Sequence, residues 1–100
     1  MTGTDTRKDR QTLLREFEIV NQRGLHARAS AKFVSLVSGF DAFVNVEKDG
    51  VTVGGTSIMG LMMLAAGTGT KITVEATGPQ AAEVIEALTH LVNNRFSEDE

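Results

Sequence analysis

Residues 16–40 read EFEIVNQRGLHARASAKFVSLVSGF, and a change of period inside this stretch decides the fold. Glu16 and Glu18 alternate with Phe17 and Ile19, the period of two of a strand with one buried face, so a strand is expected over 16–21. Past the Asn21-Gln22-Arg23-Gly24 turn, Phe33, Val34, Val37 and Phe40 recur at helical spacing and Gly39 is placed to stop them. A helix over 27–38 follows, with its N-terminus at His26.

The same reading extends along the chain. Val44 and Val46 alternate in a strand over 42–47, Asp49-Gly50 supplies the positive φ angles of a tight hairpin turn, and 51–54 return. Thr56 or Ser57 caps a short helix over 58–64 that is apolar on nearly every side. Gly67-Thr68-Gly69 turns the chain into a fourth strand over 71–76, with Ile72 and Val74 on one face. Gly78-Pro79 then opens a longer helix whose inward stripe is Ala81, Ile85, Leu88 and Val92. The order βαββαβα predicts an α+β two-layer fold, a four-stranded antiparallel sheet covered on one face by three helices. Its expected boundaries are a flexible leader over 1–15, one domain over 16–96 and a frayed acidic tail over 97–100.

Composition narrows the function. With 100 residues, 41% of them hydrophobic, and a net charge of −3, the chain holds one core and lacks the basic footprint of a nucleic-acid binder. No apolar run reaches the ~20 residues of a membrane span and the first residues lack a secretory signal, so a cytoplasmic protein without membrane insertion is expected. The absence of cysteine excludes thiol chemistry, and two histidines far apart make a metal site improbable. No metal or cofactor is expected. The glycines before Lys71 lack the Gly-Lys-Ser/Thr unit of a phosphate loop, and His90 falls on the polar side of the last helix.

Chemistry therefore concentrates at His26. The first turn of a helix leaves backbone N–H groups unbonded, here those of Ala27, Arg28 and Ala29, and with the helix dipole they suit a phosphoryl group. The same positive end favours the neutral, nucleophilic imidazole, one of whose nitrogens can attack phosphorus. Arg28 offers a fixed guanidinium beside the product. Such interactions are worth only roughly 0.3–2 kcal/mol, so the group is held without being trapped. Gly24, Ala27, Ala29 and Ser30 leave room for another protein to approach. An isolated histidine at a helix start is usually an ordinary cap; its surroundings argue for more.

GLHARAS followed by AKFV, then TSIMGLMML before a glycine turn and KITVEATGP, resembles the HPr family, the histidine phosphocarriers of the bacterial phosphotransferase system. The resemblance spans roughly residues 16–96, and EATGPQ with the long leader is similar to the nitrogen-related branch. It implies an open-faced β-sandwich in which His26 accepts a phosphoryl group on Nδ1 from phosphorylated enzyme I, charged by phosphoenolpyruvate. His26 then passes the group to a histidine of an enzyme IIA. Arg28 takes the phosphate-neighbouring role. Ser57 matches the serine modified by an HPr kinase/phosphorylase, and Leu25, Ile58, Met59 and Met62 match an apolar docking surface, with Met63 left to the core. The chain departs from the family at Ala29, where most members carry proline, and at Ser35 and Ser38, where many carry lysine; Lys32 and Arg23 are the basic residues left to compensate.

Three functions follow for comparison. The first is a monomeric phosphocarrier, an intermediate between two proteins rather than an enzyme acting alone, serving sugar uptake or nitrogen and carbon regulation. The second is a regulatory binding module of the same fold that signals through phosphorylated Ser57. The third, a small-molecule enzyme, lacks a second acid or base near His26 and a roomy pocket.

Overall fold

Segments of period two have two unlike faces, and four of them in one short chain bury their apolar sides together. The computed structural model describes residues 12–98, in which β1 (Thr12–Glu18), β2 (Phe43–Lys48), β3 (Val51–Gly54) and β4 (Lys71–Thr77) form one sheet in the order β1-β4-β2-β3. Every neighbouring pair is antiparallel. The register sets Phe17 opposite Ile72, Val46 opposite both Val74 and Val53, and Val44 opposite Ala76. These side chains make one apolar face. Glu16, Glu47, Thr73 and Thr52 share the other face with Leu14 and Phe43, which are exposed.

Three helices, α1 (Ala27–Val37), α2 (Ile58–Met63) and α3 (Ala81–Asn93), close the apolar face. Phe33 and Val37 of α1, Leu61 of α2, and Ala81, Val84, Ile85, Leu88 and Val92 of α3 are buried in the common core. Each large side chain buried there contributes about 1.5–3 kcal/mol. The inward stripe expected for the last helix is therefore the observed one, enlarged by Val84. The helix of 27–38 ends at Val37, one residue early, and Phe40 packs against the core from the following turn.

Both expected chain boundaries shift. β1 begins at Thr12, so four residues assigned to the leader belong to the sheet, with Leu13 packed against the core. Leu13 and Leu14 continue the chain's apolar character, but the pair breaks the strict alternation that makes Phe17 and Ile19 conspicuous. At the other end Arg95–Ser97 forms a 3-10 turn in which Phe96 is fully buried. The tail expected to fray from residue 97 is folded as far as Glu98. Residues 1–11 and 99–100, the remainder of the leader and tail, lie outside the described residues.

Two turns depend on left-handed backbone. Asp49 and Gly50 have φ of 52° and 86°, the signature expected of a tight hairpin between β2 and β3. Gly24 has φ of 64° and passes so close to the α2–β4 loop that an added Cβ would strike the Ala66 carbonyl oxygen and lie 2.8 Å from Gly67 Cα. Gly50 has nothing within 4 Å of such a Cβ. Gly50→Ala is expected to cost about 1 kcal/mol, the left-handed penalty alone, and Gly24→Ala at least about 2 kcal/mol because rigid backbone must also move. Urea denaturation of the two variants measures the difference; equal losses would mean that the loop beside Gly24 yields freely.

Candidate functional site

The loop entering α1 is tied down before the helix begins. Ile19 N–H donates to Thr70 C=O at 2.8 Å, and Gly69 N–H returns a bond of 2.7 Å to Ile19 C=O. Leu25 N–H donates to Ala66 C=O at 2.9 Å. The buried Ser30 hydroxyl reaches back to Leu25 C=O at 3.1 Å. His26 is left as the N-cap of α1, in extended conformation, where its carbonyl accepts the first helical bond from Ser30 N–H at 2.9 Å. The amides of Ala27, Arg28 and Ala29 precede that bond, as the sequence predicts. Because Ala29 N–H carries no helical bond, the family's proline at this place would remove none.

The imidazole itself is the cap. Its Nδ1 accepts Arg28 N–H at 3.3 Å, while Nε2 meets the carboxylate of Glu98 at 2.5 Å. A backbone amide can only donate, so Nδ1 presents a lone pair; an ionised carboxylate can only accept, so Nε2 carries the proton. The two contacts select one neutral tautomer. With 23% of its side chain exposed, the ring is open to a partner but not loose, and it borders a recess of about 240 Å³ with Arg23, Leu25, Ala65, Ala66 and Gly67.

Glu98 is only 6% exposed along its side chain and has a second anchor. The Asn21 Nδ2 group donates both to Glu98 Oε1 at 3.1 Å and to Gly24 C=O at 2.9 Å. Asn21 is fully buried, and its Oδ1 has no partner among the described residues. An orphan acceptor costs about 1–3 kcal/mol, so the amide group is retained here for what its nitrogen holds. Burial by itself raises the proton affinity of Glu98, but the hydrogen bonds from His26 and Asn21, with the charge of Lys32 and that of the His26 ring whenever it is protonated, outweigh it and leave the carboxyl below its ordinary value. A lowered carboxyl supports the fold above the ordinary carboxylate range, and this support is lost as pH falls through the lowered value.

Lys32 completes the clamp, its Nζ donating to Phe96 C=O at 2.6 Å. The lysine expected to compensate for the missing basic residues of the first helix is thus committed to the C-terminal turn. Arg95, Phe96 and Ser97 all have φ between 55° and 62°, a backbone that non-glycine residues adopt only when the surroundings hold it. Burial of Phe96 and the Lys32 bond provide that hold.

Other expected site residues are placed as follows. Arg28 is exposed on the first turn of α1, beside the ring, and Ala27 is exposed while Ala29 is buried. Ser57 is the exposed N-cap of α2, its Oγ accepting Gly60 N–H at 2.9 Å. Ile58, Met59 and Met62 are exposed, as a docking face requires. Leu25 is not: at 4% exposure it belongs to the core, drawn in by the bond of its amide to Ala66. Met63, assigned to the core, is 77% exposed instead, because the six-residue helix turns Leu61 inward. Glu98, Asn21 and Phe96 escaped the sequence reading altogether. The available signal was Phe96, a lone aromatic in an otherwise polar tail.

The comparisons agree with this geometry. The family described as PTS HPr component phosphorylation site matches residues 13–94. The chain is 48% identical over 88 residues to the phosphocarrier protein HPr of Cupriavidus necator, covering 88% of this chain and 99% of that protein. It is 42% identical over 89 residues to the phosphocarrier protein NPr of Escherichia coli, covering 88% and 99%. A crystal structure of HPr from Thermoanaerobacter tengcongensis superposes with a TM-score of 0.84 at 39% identity, covering 88% of this chain and 99% of that one. A family match over residues 13–94, relatives 42–48% identical across nearly their whole length and a solved HPr of the same fold place this chain in the HPr family of phosphocarrier proteins.

Proposed function

We propose that this chain carries a phosphoryl group on His26 Nδ1 between two proteins of a phosphotransferase chain. The observation that supports it most directly is the Nδ1 lone pair held at the start of α1, on a partly exposed ring whose other nitrogen is already occupied. Attack by that lone pair on the phosphorus of a donor phosphohistidine forms the new N–P bond. The donor's P–N bond breaks with its electron pair returning to the donor nitrogen. The incoming phosphorus displaces Arg28 N–H from Nδ1, and that amide, with the neighbouring first-turn amides and the Arg28 guanidinium, meets the phosphoryl oxygens.

The donor in this reading is phosphorylated enzyme I and the acceptor a histidine of an enzyme IIA, with the protein acting as a cytoplasmic monomer. Ile58, Met59 and Met62 furnish an exposed apolar face on α2, the adaptable surface suited to docking more than one protein in turn. Relatives named HPr and NPr both fit, so the chain serves sugar uptake or nitrogen and carbon regulation. A regulatory role for Ser57 is favoured by its exposure next to this apolar face. A phosphate there adds roughly −1.5 to −2 charges beside side chains that must be desolvated on docking.

Incubation with enzyme I and phosphoenolpyruvate is expected to give an acid-labile, alkali-stable label that is absent from His26→Ala; label persisting in that variant would refute the assignment. Ser57→Asp is expected to weaken binding to enzyme I by on the order of tenfold, read by calorimetric titration, since one buried like charge costs more than 1 kcal/mol. Unchanged affinity would remove Ser57 from control of docking.

A further inference from the structure

The C-terminal turn does more than close the core. It returns Glu98 to a ring 72 residues earlier in the chain, through a contact that nothing in the core requires. Phe96 anchors the turn, Lys32 holds the Phe96 carbonyl, and Asn21 holds the second oxygen of the Glu98 carboxylate while bracing Gly24 in the loop before His26. Both carboxylate oxygens are therefore directed. A carboxylate fixed in this way, against one nitrogen of a histidine whose other nitrogen faces the reaction, has two consequences. It prevents the ring from exchanging tautomers, and it faces whatever charge the ring acquires.

We propose that Glu98 is a positioning residue for phosphoryl transfer, selecting Nδ1 as the accepting nitrogen and offsetting the positive charge that the ring gains on accepting the group. This inference rests on the phosphocarrier reading and names a residue for it. In the resting protein Nε2 holds the proton, and its lone pair is unavailable to phosphorus. When Nδ1 forms its bond to phosphorus, Nε2 keeps that proton, so the ring becomes cationic with Glu98 in contact. The carboxylate remains ionised throughout, as a hydrogen-bond acceptor that orients and does not exchange protons. On transfer onward, the electron pair of the breaking N–P bond returns to Nδ1 and the ring is neutral again, still in the same tautomer. Glu98 thereby acts equally in loading and unloading.

Other features of the surface carry less. The exposed Leu14 and Phe43 on the open sheet face have nothing on them to indicate a partner, and the groove between β1 and α3 near His90 contains no buried polar group aimed into it. Among the described residues Glu98 alone combines a buried carboxylate with two directed hydrogen bonds, one of them to the reactive ring.

The test uses the full chain and two readouts. Long-range proton–nitrogen NMR of the imidazole in the unphosphorylated protein at pH 8 is expected to show the Nε2-protonated tautomer with a slowly exchanging Nε2 proton. Glu98→Ala is expected to lose that slow exchange and move toward the tautomer mixture of a free ring. Glu98→Gln, whose amide oxygen still accepts a hydrogen bond, is expected to keep the tautomer but lack the charge. Loading from phosphorylated enzyme I is expected to slow by on the order of tenfold in Glu98→Ala, the loss of one charge-assisted hydrogen bond, and by less in Glu98→Gln. Circular dichroism establishes that each variant is folded. Ring spectra of Glu98→Ala identical to those of the parent, or loading within about twofold of it, would overturn the proposal. If the parent itself takes no label, the phosphocarrier reading fails, and the spectra still decide whether Glu98 sets the tautomer.

Discussion

One backbone hydrogen bond, from Leu25 N–H to Ala66 C=O, fixes where the chemistry of this protein occurs. It joins the loop before α1 to the loop before β4, two segments far apart in sequence, and buries Leu25 between them. Gly24 permits the approach because any larger residue would meet the Ala66 carbonyl. His26 follows at once, so the ring emerges from an immobile stem onto the first turn of a helix. A reactive group on a free loop would spend most of its time misdirected, whereas this one is oriented before a partner arrives.

The cost of that rigidity is visible around it. Ala65 has φ of 54° at the end of α2, three consecutive residues of the C-terminal turn are left-handed, and one buried oxygen of Asn21 finds no partner among the described residues. All of these lie in the segments that surround His26. Strained backbone and an unsatisfied acceptor persist only where packing on every side determines them, and here the sheet, Phe96 and Lys32 supply that packing. The electrostatics share the same economy. A lone pair is held by a neutral amide donor, a proton by an anion, and the anion by a buried amide and the charge of a lysine.

Much of this was legible in advance because the physics involved is local. Alternation along Phe17 and Ile19, the Asp49-Gly50 turn and the stripe from Ala81 to Val92 each report a backbone preference within a few residues, and each element lies within one or two residues of its expected place apart from β1, which starts four residues and ends three residues early. His26 at a helix start was equally readable, since capping needs only the next three residues. Leu25 and Met63 were misplaced for a common reason. Both are apolar residues in short, uniformly apolar stretches, where period cannot tell inside from outside, and only the packing of α2 and the bond to Ala66 assigns them.

By itself, then, the sequence determined the element order, the apolar faces and the histidine at the tip of α1, because each follows from side-chain spacing and from dihedral preferences that act over one turn. Tertiary structure alone decided that β4 lies between β1 and β2, that Leu25 turns inward, and that Glu98 meets His26. The last contact joins residues 72 positions apart, with every helix and three of the four strands between them. No local propensity encodes such a meeting. It exists because Phe96 is buried beside the helices and carries the following two residues to the ring.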